Sequence, residues 1–209
     1  MKVVVVTTDK LKEELLTQGL NEKAEIEWLN DIPVAPAAAD IYIDLLFDTD
    51  RIKRKEKLDT LGGAVIIIND VIETMTDLPG RYVRINGWPT FLKRAITEAS
   101  CNNEAIKVKA EEALTIFNKK AEWVDDMPGF ITARVVSTII NEAYFSVEDG
   151  VSSSDEIDTA MKLGTSYPYG PFEWSKMIGV ENLFFLLHRL SKDDSRYTPS
   201  ELLKKEANR

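Results

Sequence analysis

The first half of the chain alternates β-branched apolar runs with stretches of helical periodicity. The strand-like runs are Val3–Val6, Ala24–Leu29, Ile41–Phe47, Ala64–Ile68, Arg81–Ile85, Arg94–Ala99 and Glu122–Val124. The pattern predicts helices between them at Asp9–Leu20, Asp50–Leu61 and Asn103–Lys119. Strands that alternate with helices of about 10–15 residues are typical of βαβ units, so we expect a mostly parallel sheet.

After Pro128 the strand pattern ends and the remaining periodicity is helical. A stripe at helical spacing comprises Val135, Val136, Ile139, Ile140, Ala143, Tyr144 and Val147. The segment Ser153–Glu156 has the composition of a capping box. We therefore predict two domains, an α/β domain over residues 1–126 and an all-helical domain over residues 127–209.

Further helix boundaries in the second half are marked by small and capping residues. We predict that Gly164 ends the capped helix and that Gly179 separates the helices Phe172–Ile178 and Val180–Leu190. The segment Thr198–Glu201, with a proline in its first turn, should open the last helix.

The bulk composition narrows the class of protein and its partners. The chain has 209 residues and a net charge of −9, which disfavours nucleic acid as a partner because phosphate binding needs a dense basic surface. The only cysteine, Cys101, excludes an internal disulfide and suits a reducing compartment. The opening run of four valines is too short for a signal peptide or a membrane span. These features predict a cytoplasmic protein that binds neither nucleic acid nor membranes.

The segment after the first strand does not suit a dinucleotide. Binding in the usual mode needs a G-x-G-x-x-G loop, which lets backbone amides approach the pyrophosphate. The residues here are TTDKLK, and Asp9 places a negative charge where the diphosphate would lie. We therefore predict no cofactor.

The isolated histidine and cysteine give little evidence of a catalytic site. His188 is the only histidine and has no neighbouring catalytic constellation, so we interpret it as structural. We interpret Cys101 as a plain thiol rather than a nucleophile. No metal-ligand spacing occurs.

The basic run RIKRKEK, residues 51–57, allows two interpretations. It could grip phosphates, or it could be the solvated face of a helix whose Ile52, Leu58 and Leu61 point inward. We favour the solvated helix.

A connected set of motifs carries more information than these single residues. The motifs are NGWP (86–89), MPGF (127–130), NEA (141–143), DEIDTAMKLG (155–164) and YPYGPFE (167–173). In order and spacing they resemble the 3-hydroxyacyl-CoA dehydrogenase family, closely from Pro128 to Gly179 and weakly before residue 40. The resemblance implies an abbreviated Rossmann-like domain, a helical domain that forms a homodimer, and NAD as the family's cofactor.

The resemblance also implies where a general base would stand. The family's histidine lies three residues before the asparagine of an H-x-x-N-P motif, and its orienting glutamate lies nine residues after that asparagine. Asn86 corresponds to that asparagine, so these positions are Val83 and Ala95. Neither side chain can accept or orient a proton.

Other family positions are also altered. The active-site asparagine that follows PGF corresponds to Ala133, and the serine that contacts substrate falls near Val71. We therefore predict no catalytic residue and keep Asn86, Asn69 and Ala133 as candidates for a remaining substrate pocket.

The sequence leaves two functions open. The first is a non-catalytic binding or scaffold homologue, a pseudoenzyme, with an acyl-CoA-like ligand as a possible partner. The short loop NDIPVAPAA replaces a helical extension that helps the family bind coenzyme A, which weakens that expectation. The alternative is an active oxidoreductase of acyl-CoA or fatty-acid metabolism whose altered site uses His188 or Cys101.

Overall fold

The computed structural model describes residues 1–21, 24–33 and 38–208. The chain divides into two compact units, Met1–Phe130 and Ile131–Arg209. The predicted boundary after residue 126 lies four residues before this division. The intervening residues belong with the first unit, because the Gly129 N–H donates to the Val71 carbonyl over 2.7 Å.

The first unit is an α/β unit with one seven-stranded sheet among its described residues. Its helices are α1 (Asp9–Leu15), α2 (Arg51–Asp59) and α3 (Glu104–Ile116), with 3₁₀ turns at Leu16–Gln18 and Phe47–Thr49. The strands are β1 (Lys2–Val6), β2 (Glu25–Leu29), β3 (Ile41–Asp44), β4 (Val65–Asn69), β5 (Tyr82–Ile85), β6 (Ile96–Ser100) and β7 (Lys120–Trp123). Each predicted strand and helix of this half is therefore present, with ends shifted by a few residues.

The sheet order is β2-β1-β3-β4-β5-β6-β7, and every neighbouring pair is parallel except β5 and β6. This confirms the mostly parallel sheet. Between β5 and β6 the chain makes only a short loop without a crossover helix, so β6 must run back antiparallel to β5.

Both faces of the sheet are covered, because alternate residues of each strand point to opposite sides. Val3 and Val5 pack with residues of α1 and α3, whereas Val4 and Val6 pack in a separate cluster with Leu58 of α2. A continuous apolar run such as VVVV is what a strand buried on both faces requires.

The prediction for the basic run on α2 is wrong in one respect. Ile52 is 73% exposed rather than inward-facing, while Arg54 is only 8% exposed. Leu58 and Leu61 are buried as predicted. Arginine replaces the expected apolar contact because a buried carboxylate of β3 pairs with it, as described below.

The second unit is all-helical over its described residues. Its helices are α4 (Thr132–Glu148), α5 (Ser154–Thr165), α6 (Pro171–Ile178), α7 (Val180–Ser191) and α8 (Glu201–Ala207), with a 3₁₀ turn at Ser195–Tyr197. The predicted capping box at Ser153 and Glu156 is present. Gly179, with φ 101°, separates α6 from α7 as predicted.

Two predicted helix boundaries need correction. Gly164 lies inside α5, and the helix ends at Thr165 followed by Ser166 in the left-handed region at φ 57°. The last helix is capped by Ser200, whose hydroxyl accepts from the Leu203 N–H over 3.1 Å, so Thr198 lies outside it. Capping depends on the backbone conformation at one residue, which composition alone does not fix.

Within residues 1–21, 24–33 and 38–208, no helix is both long and apolar enough to cross a membrane. Residues 34–37 of the predicted loop NDIPVAPAA lie outside the described residues.

Candidate functional site

The first polar pair of interest lies where β5 and β6 meet. Asn86 directly follows β5, and the antiparallel register that pairs Ile85 with Ala99 places it opposite Glu98. The backbone N–H of Asn86 donates to the Glu98 carbonyl over 3.0 Å. The Asn86 carboxamide Nδ2 donates to Glu98 Oε2 over 2.9 Å. A nearly buried amide is thus held by a partly exposed carboxylate.

Asn69, at the end of β4, connects the residue after Asn86 to the neighbouring strand. Its Oδ1 accepts from the Gly87 N–H over 2.9 Å, and its Nδ2 donates to the Leu45 carbonyl and to Asp48 Oδ2. A Cβ at position 87 would lie 2.9 Å from the Asn69 carboxamide carbon, so this approach requires glycine. The polar atoms of Asn69 are therefore used to fix the strand ends.

Asp48 is a largely buried carboxyl at the same edge of the sheet. Burial, together with the nearby carboxylates of Asp70 and Asp44, raises its pKa to about 7, against an opposing hydrogen bond from Trp88. Its protonation state therefore changes around neutral pH, which is the range that suits a general acid or base.

Two arginines of α2 pair with carboxylates at the ends of β3 and β4. Arg54 binds Asp44 through Nε and Nη2, over 2.7 and 2.8 Å, and Asp44 is fully buried. Arg51 donates from Nε to Asp70 over 2.8 Å and also pairs with Asp77. Burial raises the pKa of Asp44, and the Arg54 guanidinium opposes that shift. The run predicted to be solvated thus supplies two inward ion pairs.

The segment between β1 and α1 is arranged as a helix cap. Thr8 caps α1 by accepting from the Leu11 N–H over 3.3 Å, and Asp9 occupies the first turn. Side chains therefore fill the place where a glycine loop would let a pyrophosphate approach the backbone.

The structure does not support the positions assigned to the family's base and glutamate. Val83 is fully buried in the apolar cluster shared with α1 and α3, and Ala95 is exposed ahead of β6. The resemblance implies a base and a glutamate twelve residues apart, which is the separation of the bonded pair Asn86 and Glu98. The side chains in contact at this strand end, Asn86 and Glu98, each lie three residues after Val83 and Ala95 in the chain.

Sequence reasoning missed a buried arginine on β5. Arg84 is fully buried, donates from Nε to the Asp70 carbonyl over 2.8 Å and pairs with Asp126. Its guanidinium lies 4.5 Å from the centre of the Phe130 ring. An arginine within a strand pattern, with an acidic pair before the MPGF turn, was the available signal. Arg84 holds the end of the first unit against the sheet.

The remaining predicted residues lie on other elements: Ala133 and His188 belong to the second unit, and Cys101 follows β6. Ala133 is fully buried near the start of α4, and His188 is an exposed residue of α7 stacked on Phe184. The Cys101 thiol lies 3.6 Å from the Tyr82 carbonyl, and burial raises its pKa, which disfavours the reactive thiolate. No group of three potential metal ligands occurs among the residues that the structure describes.

In the second unit the motifs that carried the resemblance make structural contacts. Asp158 accepts from the Phe172 and Glu173 N–H groups over 2.8 and 3.1 Å and so caps α6. A Cβ at Gly170 would overlap the Asp158 carboxylate, which explains why the DEIDTAMKLG and GPFE segments suit each other. Asn141 binds the backbone of Thr198 and Ser200 ahead of α8.

Comparisons with known proteins match these two units. Residues 129–209 match the family model described as 3-hydroxyacyl-CoA dehydrogenase, C-terminal domain. A 3-hydroxybutyryl-CoA dehydrogenase of Bradyrhizobium diazoefficiens is 28% identical over 96% of this chain and 72% of its own length. A 3-hydroxyadipyl-CoA dehydrogenase of Escherichia coli is 38% identical over 54% of this chain and 24% of its own length.

Solved structures add the fold of the whole chain. Mycobacterium tuberculosis FadB2 aligns with a TM-score of 0.75 at 17% identity, covering 99% of this chain and 93% of that one. The (S)-3-hydroxybutyryl-CoA dehydrogenase PaaH1 of Ralstonia eutropha aligns with a TM-score of 0.73 at 21% identity, covering 98% and 92%. The second unit thus matches the C-terminal domain of 3-hydroxyacyl-CoA dehydrogenases, and the chain shares the fold of these two solved structures, with a Rossmann-like first unit and a helical second unit.

Proposed function

We propose that this protein is a non-catalytic member of the 3-hydroxyacyl-CoA dehydrogenase family, one that binds a ligand without transferring hydride between a 3-hydroxyacyl thioester and NAD. The observation that carries the proposal is the bonded pair Asn86 and Glu98. Oxidation of a hydroxyl group needs a base that takes its proton as hydride leaves. A carboxamide remains neutral near pH 7 and cannot accept that proton.

The start of α1 supports the same proposal. The side chains of Thr8 and Asp9 occupy the turn after β1, and Asp9 repels a diphosphate. We expect calorimetry at millimolar NAD or NADH to detect no binding. A Kd below about 100 μM, roughly −5.5 kcal/mol, would contradict this part of the proposal.

Asp48 favours the alternative of an active oxidoreductase with an altered site. Its pKa of about 7 would let it exchange a proton at neutral pH. His188 and Cys101 offer less support, since one is isolated on α7 and the pKa of the other is raised.

An absorbance assay tests the two functions against each other. Purified protein is mixed with NADH and acetoacetyl-CoA, and the change in NADH absorbance is followed. We expect no turnover above the rate without protein. Turnover that is lost in Asp48→Asn but kept in the exposed control Asp149→Asn would establish the alternative.

The ligand class calls for a separate screen. We propose an acyl-CoA-like ligand, and a thermal-shift screen of NAD, CoA thioesters and acyl carnitines would test it. Bound ligand raises apparent stability by RT ln(1 + [L]/Kd). If no CoA thioester raises the melting temperature at concentrations up to millimolar, this ligand class is wrong.

A cytoplasmic location, predicted from the cysteine content, also stays a prediction.

We further propose a homodimer formed through the second unit. Part of the predicted apolar stripe lies in the unit's own core, including Val136, Ile140 and Tyr144. Val135 and Phe185, in contrast, are 52% and 54% exposed. An apolar groove of about 280 Å³ lies beside Ile139. Exposed apolar surface of this kind favours association.

Light scattering at micromolar concentration tests the dimer. The protein should have twice the chain mass of 23.6 kDa. Phe185→Glu should give a monomer or insoluble protein, because a two-fold contact contains each substitution twice. The surface control Lys192→Glu should remain dimeric. A mass of one chain for the unmodified protein would refute the dimer.

A further inference from the structure

We propose that the first unit has a separate binding site for a small zwitterionic molecule of the amino-acid class, at the amino ends of its parallel strands. The site is a cavity of about 480 Å³, the amino-edge cavity. Its lining residues include Asp40, Gly62, Gly63, Lys109 and Glu112. Asn69 and Asn86 lie at the carboxyl ends of β4 and β5, at the opposite edge of the sheet, so the inference does not depend on the ligand proposed above.

Two neighbouring strands and one helix form the amino-edge cavity. Asp40 directly precedes β3, and Gly62 and Gly63 precede β4, which runs parallel to β3 and beside it. Lys109 and Glu112 belong to α3, where a separation of three residues puts both on one face of the helix. The volume of about 480 Å³ falls within the roughly 300–1,000 Å³ of typical small-molecule sites.

The sheet side of the cavity is fixed by hydrogen bonds of Asp40. Its N–H donates to the Lys2 carbonyl and its carbonyl accepts from the Val65 N–H, each over 3.0 Å. Its Oδ2 accepts from the Lys2 N–H over 2.8 Å, which orients the carboxylate. Oδ1 has no partner among the residues that the structure describes. A carboxylate held in this way can accept a hydrogen bond from the ammonium group of a ligand.

Two charged side chains of α3 at the cavity lack partners. Lys107, on the same helix, pairs with Glu104 over 2.6 Å. In the described part of the chain, the side chains of Lys109 and Glu112 have neither an ion pair nor a hydrogen bond. Unpaired charges of both signs around one cavity are complementary to a ligand that carries both charges.

The glycine pair supplies backbone donors for the carboxylate of such a ligand. Gly63 has φ 78°, in the region that favours glycine. The N–H groups of Gly62 and Gly63 donate to no acceptor among the described residues. Consecutive free N–H groups in a turn form an anion-binding concavity, and the ammonium group of Lys109 adds positive charge. No atom lies within 4 Å of a Cβ built on either glycine, so a ligand has room there.

The cavity therefore offers groups for each end of an amino acid. Asp40 and Glu112 would accept from its ammonium group, while Lys109 and the glycine pair would donate to its carboxylate. The apolar side chain of Ile41 also lines the cavity. This combination favours an aliphatic amino acid such as leucine.

An NMR titration with L-leucine tests the site. The backbone amide signals of Gly62 and Gly63 should shift and reach saturation, with a Kd in the millimolar range. Isocaproate lacks the ammonium group of leucine, and isoamylamine lacks its carboxylate. Each should bind at least about fivefold more weakly than leucine, because the contacts of one charge are lost.

Substitutions then locate the binding. Gly62→Gln should abolish the shift at Gly63, because the new side chain enters the cavity without meeting another atom at its Cβ. Gly80→Gln is the matched control, since its Cβ also meets no atom within 4 Å and position 80 does not line the cavity. Glu112→Gln should raise the Kd about two- to fivefold, whereas exposed Glu13→Gln on α1 should leave it unchanged.

Three results would overturn the proposal. The first is the absence of a saturating shift at leucine concentrations up to about 100 mM. The second is binding of isocaproate or isoamylamine as tight as that of leucine, because the site would then recognise one charge alone. The third is equal weakening by Gly62→Gln and Gly80→Gln. Turnover in the absorbance assay would refute the proposed function and leave this titration unchanged.

Discussion

The two units of this protein keep different parts of what makes the family recognisable. In the second unit the shared motifs join helices, as where Asp158 caps α6 and Asn141 holds the start of α8. In the first unit, ion pairs of Arg51 and Arg54 occupy the ends of β3 and β4. Sequence motifs can therefore reveal a relationship because they conserve contacts between helices, and such motifs say little about the reaction that a protein catalyses.

The units also differ in the interactions that stabilise them. Beside its apolar core, the first unit contains buried ion pairs, whose energy depends on pH and on keeping both partners. The second unit contains a capping box and a close contact between α5 and α6, whose energy depends on shape and backbone geometry. Four substitutions, taken from the largest expected effect to the smallest, test this difference.

Arg54→Met should destabilise the protein most. It leaves Asp44 buried without its partner, which costs about 3–5 kcal/mol. Urea denaturation at pH 7 measures the loss, and Lys53→Met, on the exposed face of α2, should change stability far less. The loss should shrink at lower pH as Asp44 becomes protonated. Equal effects of the two substitutions would mean that the buried pair does not stabilise the first unit.

Gly170→Ala tests the close contact in the second unit. The new methyl group would overlap Asp158, which cannot swing away without losing its bonds to α6. We expect a loss of about 2–3 kcal/mol in thermal or urea denaturation. Gly164→Ala is the matched control, because no atom lies within 4 Å and alanine favours a helix interior by up to about 1 kcal/mol. If Gly170→Ala leaves the free energy of unfolding unchanged, the close contact with Asp158 does not stabilise the second unit.

Asp48→Asn tests the pH dependence of the first unit. Burial raises the pKa of Asp48 from 3.8 to about 7, so the folded protein binds a proton that the unfolded chain releases. The stabilisation that this bound proton gives the folded protein is fully present below pH 3.8 and is lost as pH rises through about 7. Asn at this position should therefore raise stability at pH 8 by about 1–3 kcal/mol and change it little at pH 4. A pH profile unchanged from that of the unmodified protein would show that Asp48 does not titrate this way.

Ser153→Ala should have the smallest effect. It removes the hydroxyl that accepts from the Glu156 N–H at the start of α5, which costs about 1 kcal/mol. Ser146→Ala, inside α4, removes only a bond to its own helix and should cost less than about 0.5 kcal/mol. The loss of stability of each variant relative to the unmodified protein should be nearly the same at pH 5 and at pH 8, in contrast to the effect of Asp48→Asn.

The elements of both units could be predicted because their signals are local. The run Val3–Val6, the capping box at Ser153 and the break at Gly179 each act within a few residues. The inward turn of Arg54 could not be predicted this way. A solvated basic face and a buried ion pair have the same composition, and only the packing of α2 against β3 brings Asp44 within reach.

The candidate site also combines features that local sequence predicts with features that depend on packing. Local patterns were enough to predict the family resemblance, the parallel sheet, the helical second unit and the lack of a glycine loop after β1. The packed fold was needed to show that Glu98 faces Asn86, that Asn69 fixes Gly87 and that burial among carboxylates raises the pKa of Asp48. Local patterns specify elements through backbone preference and burial, whereas strand register and desolvation arise only when distant segments pack together.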